Sequence, residues 1–208
     1  MNTFRERPIL MNGESVIGII DLRKTQTRRV VKGKIALDWL QPGMFSPRYV
    51  ALPENYLSPF GYCGDLLWVR ETWGAVSKTE ERASLKECNI EYRADLPAGC
   101  TDYPGDWSME DARGNDEAPR WRPSIFMPRW ASRITLKITN VRVERLQEID
   151  MNGFVAEGIH VDSLSSTTLF PERDTFIDLW NRINLKRGYS WDSNPWVWVI
   201  EFEKVEGK

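Results

Sequence analysis

The first third of the chain carries apolar positions in three short, differently spaced groups. Residues 7–11 (RPILM) form a compact apolar run that predicts a strand. Asn12 or Glu14 then opens a helix that ends near Arg23, with an apolar face of Val16, Ile17, Ile19 and Ile20. Residues 25–31 (TQTRRVV) are rich in β-branched side chains and predict a second strand. The Pro and Gly residues of 41–64 predict loop.

Four later segments also have the pattern of strands. GDLLWVRETW at 64–73 follows a Gly-Asp turn, and NIEYRA at 89–94 is a shorter candidate. Residues 133–145 alternate apolar and polar side chains over a length that favours a bend or bulge. The chain closes with an alternating strand at 194–205.

Two helices are predicted between the last two strands. Residues 150–159 indicate a short helix that ends at Gly158. Residues 171–188 predict a longer one, with Pro171 in its first turn and Gly188 after its end. About six strands and three helices without regular βαβ alternation favour an α+β fold, with a mixed, mostly antiparallel β-barrel and flanking helices. We predict a single domain over 1–208 with a polar inserted loop region at 74–120.

Composition narrows the function classes. Twenty-eight basic residues (19 Arg and 9 Lys) face 30 acidic ones, so the net charge of −2 excludes a strongly basic, non-specific DNA coat. Three cysteines without CxxC spacing and a single histidine, His160, argue against a disulfide scaffold, a metal site or a cofactor. No apolar run approaches the roughly 20 residues of a membrane span. We therefore expect a cytoplasmic protein without a membrane partner.

The charges are segregated along the chain. Residues 21–34 hold six basic groups and one acid, and residues 120–145 hold seven basic groups and one acid. Residues 144–178 hold eight acids and two bases. Two basic segments that converge would form a footprint for phosphate, and the alternative is that these arginines pair with the acidic helices.

Aromatic side chains accompany the second basic segment. Trp121 and Trp130 could stack on bases beside Arg129 and Arg133, while Trp191, just before the last strand, is a candidate lid or stacking residue. Arg70 and Glu71 alternate on their strand, so whichever is buried needs a partner. Trp68 and Trp73 fit the core better than a base platform.

The order of several motifs resembles an ASCH domain of the PUA-like superfamily, especially a phage- and prophage-associated group. The motifs are IIDLRKTQTRR, then GDLLWVRETW, an Ile/Val-rich strand, an AEG helix end and a final WVIEF strand. The resemblance covers 7–31, 60–73, 121–159 and 171–203. It implies a small β-barrel with flanking helices, and it leaves 74–120 as an insertion.

The resemblance also implies a site. PUA-like domains bind RNA or modified bases in a cleft beside the barrel, and some small ASCH proteins are amidohydrolases that deacetylate 4-acetylcytidine with a Lys, a Thr and a Glu. On this chain the matching residues are Lys24, Thr27 and Glu157, with Arg28 and Arg29 beside them as ligand contacts. Strict strand alternation places Lys24 and Thr27 on opposite faces, so they meet only where a helix-to-strand junction lies between them. Each residue also has an ordinary structural explanation, such as a salt bridge between the Glu and a neighbouring cation.

Three hypotheses follow. The first is binding of RNA or of a nucleoside or nucleotide ligand in a basic cleft. The second is amide hydrolysis on acylated cytidine, for which a Lys with a lowered pKa would activate the Thr hydroxyl. The third is a phage accessory or assembly protein without catalysis.

Overall fold

The computed structural model describes residues 4–77, 84–96, 103–105, 113, 118–159 and 169–205. The strands are β1 (Glu6–Leu10), β2 (Gln26–Val30), β3 (Leu66–Arg70), β4 (Trp73–Val76), β5 (Asn89–Tyr92), β6 (Thr135–Arg145) and β7 (Trp196–Val205). The α-helices are α1 (Gly13–Ile20), α2 (Lys34–Trp39), α3 (Pro47–Val50), α4 (Met151–Ala156) and α5 (Pro171–Asn184). The α+β class predicted from the sequence is confirmed.

Five strands form one mostly antiparallel sheet in the order β1-β3-β6-β7-β2. Only the β1–β3 pairing within it is parallel, while β4 and β5 make a separate antiparallel pair. The long partners β6 and β7 occupy the middle of the sheet and shift register between Ile138 and Asn140. This irregularity agrees with the bulge predicted for 133–145.

The central sheet separates two apolar clusters. On one face, side chains such as Leu136, Ile138 and Ile200 pack with α1, α2 and α3. On the other face, Val197 and Val199 pack with Phe154 of α4 and with Phe176 and Trp180 of α5. Burial of this apolar area is the main stabilising contribution, and it holds α4 against β2 and β7.

Several element boundaries differ from those predicted. The strand predicted at 64–73 ends at Arg70, and a second strand begins at Trp73. The chain leaves the main sheet here because Trp73 pairs with Tyr92 of β5 instead. The Pro- and Gly-rich region contains α3, and α2 lies just before it; both were missed because they are only four and six residues long.

Glycines end two of the helices where the sequence predicted. Gly158 follows α4 with φ of 82°, and Gly188 follows α5 and a short 3-10 turn with φ of 83°. The left-handed backbone conformation favours glycine at both positions. Asn12 caps α1 by accepting a hydrogen bond from the Ser15 amide at 2.9 Å, which settles the choice between Asn12 and Glu14.

The two outer strands of the sheet are connected by a side chain. Arg29 of β2 donates a hydrogen bond to the carbonyl oxygen of Leu10 in β1 at 2.7 Å. Closure of the sheet into a barrel stays a prediction, as do the single domain over 1–208 and the insertion at 74–120. Among the described residues, no helix is long and apolar enough to cross a membrane.

Candidate functional site

The start of β2 presents Lys24, Gln26 and Arg28 to α4. They occupy alternate positions, so their side chains share one face of the strand. Gln26 Nε2 donates to the carbonyl oxygen of Gly153 at 3.1 Å, and the Thr25 amide donates to the carbonyl oxygen of Ala156 at 2.9 Å. These contacts hold the end of α4 directly over the residues that the sequence analysis singled out.

Lys24 and Glu157 form a buried ion pair. The Lys24 ammonium donates to Oε2 of Glu157 and also to its backbone carbonyl oxygen, both at 2.7 Å. Only 5% of Lys24 and 8% of Glu157 is exposed to solvent. Gly18 and Gly158 make room for the lysine, because a Cβ at either position would lie 3.2 Å and 2.9 Å, respectively, from its Cβ.

Burial lowers the pKa of Lys24 from its ordinary value. Desolvation is the largest cause, and the positive charges of Arg29 and Arg28 act in the same direction. The charge and hydrogen bond of Glu157 oppose this shift without cancelling it. Lys24 is therefore an amine that loses its proton more easily than a surface lysine does.

Arg28 extends the ion pair into a chain of alternating charge. Its Nη1 lies 3.3 Å from Oε1 of Glu157, and its Nη2 donates to Oε1 of Glu144. Glu144 accepts from Nε of Arg142 at 3.0 Å, and Arg142 in turn pairs with Glu201. Arg28 Nε is buried and has no hydrogen-bond partner among the described residues. The chain leads from the buried lysine across β6 to β7.

Thr27 lies on the opposite face of β2 from this chain. It is directly opposite Ile200 of β7, whose side chain belongs to the cluster shared with α1 to α3, whereas Arg28 is opposite Val199. Only 2% of Thr27 is exposed to solvent. The structure thus brings Lys24 and Glu157 together and does not hydrogen-bond Thr27 to either.

Most of the arginines expected to meet phosphate are engaged in ion pairs. Arg129 donates to both carboxylate oxygens of Glu6, at 3.0 and 3.3 Å, and this hydrogen bonding lowers the pKa of Glu6. Arg29 is committed to Leu10 and to the sulfur of Met11. Arg129 thus pairs with a carboxylate of β1 and Arg29 with a carbonyl oxygen and a sulfur, so the alternative of pairing with the acidic helices does not describe these contacts.

Glu71 is the buried member of the Arg70–Glu71 pair, and its partner is Arg133. Nε and Nη2 of Arg133 each donate to one carboxylate oxygen of Glu71 at 3.0 Å, while Nη1 lies 2.7 Å from Asp95. The guanidinium also lies 3.9 Å from the centre of the Tyr92 ring. Burial raises the pKa of Glu71 even though Arg133 opposes the shift. This cluster joins the small β4–β5 sheet to the end of β3.

Arg70 and the candidate aromatic residues have different surroundings. Arg70 lies 5.5 Å from the Trp68 ring, and its buried Nε has no partner in the part of the chain that the structure describes. Trp121 packs under Arg93, and the same part of the chain holds no partner for its buried indole N–H. Trp130 is 43% exposed and meets the edge of the buried Trp73, which is a core residue as predicted. Trp191 is buried against Phe176, in the cluster beneath α5.

An open cavity of about 400 Å³ lies between α4 and residues of β2, β6 and β7. The residues that line it include Gln26, Asn152, Thr25 and Thr139, which carry amide or hydroxyl groups. Gln26 was missed by the sequence analysis, although its position two residues from both Lys24 and Arg28 places it on the same strand face.

The charges of this cavity are mixed. Arg142 lines it together with the carboxylates of Asp150 and Glu201. Arg142 already bridges Glu144 and Glu201, and Asp150 accepts the amide hydrogen of Gly153 at 2.7 Å. The cavity therefore has a mixed lining with more carboxylates than cations, rather than the basic lining expected of the cleft.

His160 and Cys100 lie outside the described residues. Within the described part of the chain, no three His, Cys, Asp or Glu side chains form a group that could hold a metal ion.

No family model matches the chain, and no curated protein matches it. Among solved structures, it is similar to the crystal structure of an ASCH domain from Lactobacillus crispatus JV V101. The identity is 10%, and the match covers 97% of this chain and 79% of that chain with a TM-score of 0.38. Membership of the ASCH group stays a prediction of the sequence motifs.

Proposed function

We propose that the protein binds a nucleobase-containing ligand in the cavity beside α4. The observation that supports this most directly is the set of amide- and hydroxyl-bearing residues that line a space of about 400 Å³. Ligand pockets of this size hold small molecules, and a few placed polar groups fix their orientation. The edges of nucleobases present the alternating donors and acceptors that amides complement.

Gln26 has the properties of an orienting group. It is buried, and its amide nitrogen is used by the carbonyl oxygen of Gly153. The amide oxygen is consequently held in one direction as an acceptor for a base N–H or exocyclic amine. Asn152, exposed on α4, supplies a second amide at the rim of the cavity.

Electrostatics favour the base over the phosphate as the part recognised here. Two carboxylates would repel a phosphate in this cavity, and the one guanidinium that lines it is already paired with Glu144 and Glu201. A neutral ring releases few counterions on binding, so the affinity for a nucleoside should depend weakly on salt.

Isothermal titration calorimetry with the four common nucleosides and 4-acetylcytidine tests the proposal. We expect saturable binding of at least one nucleoside, weakened about tenfold or more by Gln26→Ala and by Asn152→Ala, in line with the loss of a specific polar contact. Val155→Ala, at an exposed position of the same helix outside the cavity lining, is the control and should bind as the parent protein does. Absence of binding to every nucleoside, or equal loss in the Val155 variant, would reject the proposal.

Amide hydrolysis is a second candidate function, which the buried Lys24 favours. Its lowered pKa and its contact with Glu157 are the properties required of an amine that shuttles protons. The reaction adds water across the amide C–N bond of an acylated exocyclic amine, which releases a carboxylic acid and the free base. Thr27 could act as nucleophile only after it approached Lys24 from the other strand face.

The test is hydrolysis of 4-acetylcytidine and other acylated nucleosides by the purified protein. We expect Lys24→Ala to abolish turnover, and Lys137→Ala, at an exposed ion pair with Glu203, to leave it unchanged. No turnover across the panel would reject this candidate and leave the binding proposal standing.

A further inference from the structure

A second cavity, of about 500 Å³, lies next to the first. The two share Asp150, the residue that caps α4, so the cavities lie on either side of this residue or meet at it. The second differs in chemistry, because its lining includes the aromatic rings of Phe154, Phe170 and Trp191. No residue in the lining of the second cavity except Asp150 also lines the first.

In the second cavity the buried aromatic rings form the floor, and the exposed ring forms the rim. Phe154 and Trp191 are buried, and both contact the ring of Phe176, at centroid distances of 5.4 and 6.1 Å. Contact with Phe176 holds both rings in place. Phe170, which precedes the first residue of α5, is 53% exposed, so its ring remains available to a ligand.

The lining of the same cavity also includes a basic side chain. Arg173, in the first turn of α5, lines it and makes no ion pair among the described residues. Asp150 is the acidic neighbour, but one of its oxygens is already engaged with the amide of Gly153. In contrast to the paired Arg142 of the first cavity, Arg173 can meet an anion without breaking an ion pair with any of the described residues.

We infer that the second cavity binds a second base of the same ligand, so that the ligand is a dinucleotide unit of a single strand rather than a free nucleoside. This inference rests on the proposed function, which places the first base in the polar cavity. The second base stacks on Phe170, over the floor formed by Trp191 and Phe154. The phosphodiester between the bases lies toward Arg173, because the polar cavity offers it no unpaired cation. Stacking on aromatic rings and a nearby arginine are the usual means of holding single strands.

Calorimetric titration with dinucleoside monophosphates, in ribose and deoxyribose forms, tests the inference against the matching nucleosides. We expect a dinucleoside monophosphate to bind about tenfold or more tightly than the better of its two nucleosides, which is the size of one base–aromatic stacking contribution. Unlike nucleoside binding, this gain should shrink between 50 and 200 mM salt, since it includes one phosphate contact.

Two variants locate the gain in the second cavity. Phe170→Ala and Arg173→Gln should each lower dinucleotide affinity toward that of the nucleoside, while nucleoside affinity stays within about twofold of the parent. Leu169→Ala, next in sequence and 91% exposed, and Arg182→Gln, on the same helix, are the matched controls and should retain the full gain. Circular dichroism of each variant confirms that α5 is intact.

The outcomes separate the two proposals. Measurable nucleoside binding with no tighter dinucleotide binding, or with a gain that Phe170→Ala and Arg173→Gln leave unchanged, overturns the inference and keeps the proposed function. Dinucleotide binding that depends on Phe170 but not on Gln26 or Asn152 supports the aromatic site and overturns the polar one. If the control variants keep the tighter dinucleotide binding and only the cavity variants lose it, the result supports both the proposed function and this inference.

Discussion

The Lys24 ammonium lies 2.7 Å from the carboxylate of Glu157, a residue 133 positions away along the chain. Arg28 approaches the other oxygen of the same carboxylate at 3.3 Å, so one buried anion serves two buried cations. This asymmetry has consequences for stability, because removal of the carboxylate leaves more uncompensated charge than removal of either cation.

Replacement of Glu157 should destabilise the protein more than replacement of Lys24. Glu157→Gln leaves the buried Lys24 without a carboxylate and removes one of the two carboxylates that Arg28 contacts, so it should lower the free energy of unfolding by about 3–5 kcal/mol. Lys24→Met leaves Glu157 paired with Arg28 and should cost less. Urea unfolding at pH 7 measures both. Glu203→Gln, in an exposed pair with Lys137, is the control and should change the value by less than about 1 kcal/mol. An equal or larger effect of Lys24→Met would show that Arg28 does not share the carboxylate.

The lowered pKa of Lys24 predicts the sign of a pH effect. Between its folded pKa and the unfolded value of about 10.4, the unfolded state binds more protons than the folded state. The stability contributed by Lys24 should therefore rise with pH through that window. The measurement is the difference in unfolding free energy between the parent protein and Lys24→Met at a series of pH values. A difference that falls as pH approaches 10 would mean that Glu157 raises the pKa of Lys24 instead.

Gly158 should be less tolerant of substitution than Gly188. Both have φ near +82°, so alanine is strained at either position by about 1 kcal/mol. At Gly158 the added Cβ would also lie 2.9 Å from Cβ of Lys24, whereas nothing lies within 4 Å at Gly188. We expect Gly158→Ala to lower the thermal midpoint clearly more than Gly188→Ala. Equal shifts would show that Lys24 moves aside without loss.

Replacement of Arg133 should lower the free energy of unfolding more than replacement of Arg129, although both belong to the same basic segment. Arg133→Gln leaves Glu71 buried without its two hydrogen bonds and removes the ring contact with Tyr92, so it should cost about 3 kcal/mol or more of unfolding free energy. Arg129→Gln breaks an exposed pair with Glu6 and should cost less than about 1 kcal/mol.

Arg133→Lys completes this comparison. A lysine cannot reproduce two parallel hydrogen bonds to one carboxylate or the flat contact with Tyr92, so most of the loss should remain. Full recovery of stability by lysine would mean that charge alone holds Glu71.

The local pattern of the sequence was sufficient for most elements. Helix α1, helix α5 and strands β2, β6 and β7 lie where the sequence pattern predicted them. The helices carry an apolar face and end signals at Asn12, Pro171 and Gly188, and the strands are rich in β-branched or alternating apolar residues. The break between β3 and β4 was not predictable in the same way. LLWVRETW reads as one strand, and only the pairing of Trp73 with Tyr92 and the burial of Glu71 against Arg133 divide it.

The candidate site was predicted in part for the same reason. The motif resemblance selected Lys24 and Glu157, and the structure places them in contact. It did not select Gln26, Glu144 or Asn152, which become relevant only through the approach of α4 to β2 and β6. The basic segments left open a footprint for phosphate or pairing with acidic residues, and the structure pairs Arg28, Arg129 and Arg133 with carboxylates elsewhere in the chain.

The sequence by itself determined the types of element, their order and the residues worth examining, since propensity and periodicity act over a few neighbouring positions. The tertiary structure decided which charges meet, which face of β2 each side chain occupies relative to α4, and where the two cavities open. An ion pair depends on separation and on desolvation, and both are set by packing between segments more than 100 residues apart. Lys24 is a surface-type residue in the sequence and becomes a buried amine only because Gly18, Gly158 and Glu157 are brought around it.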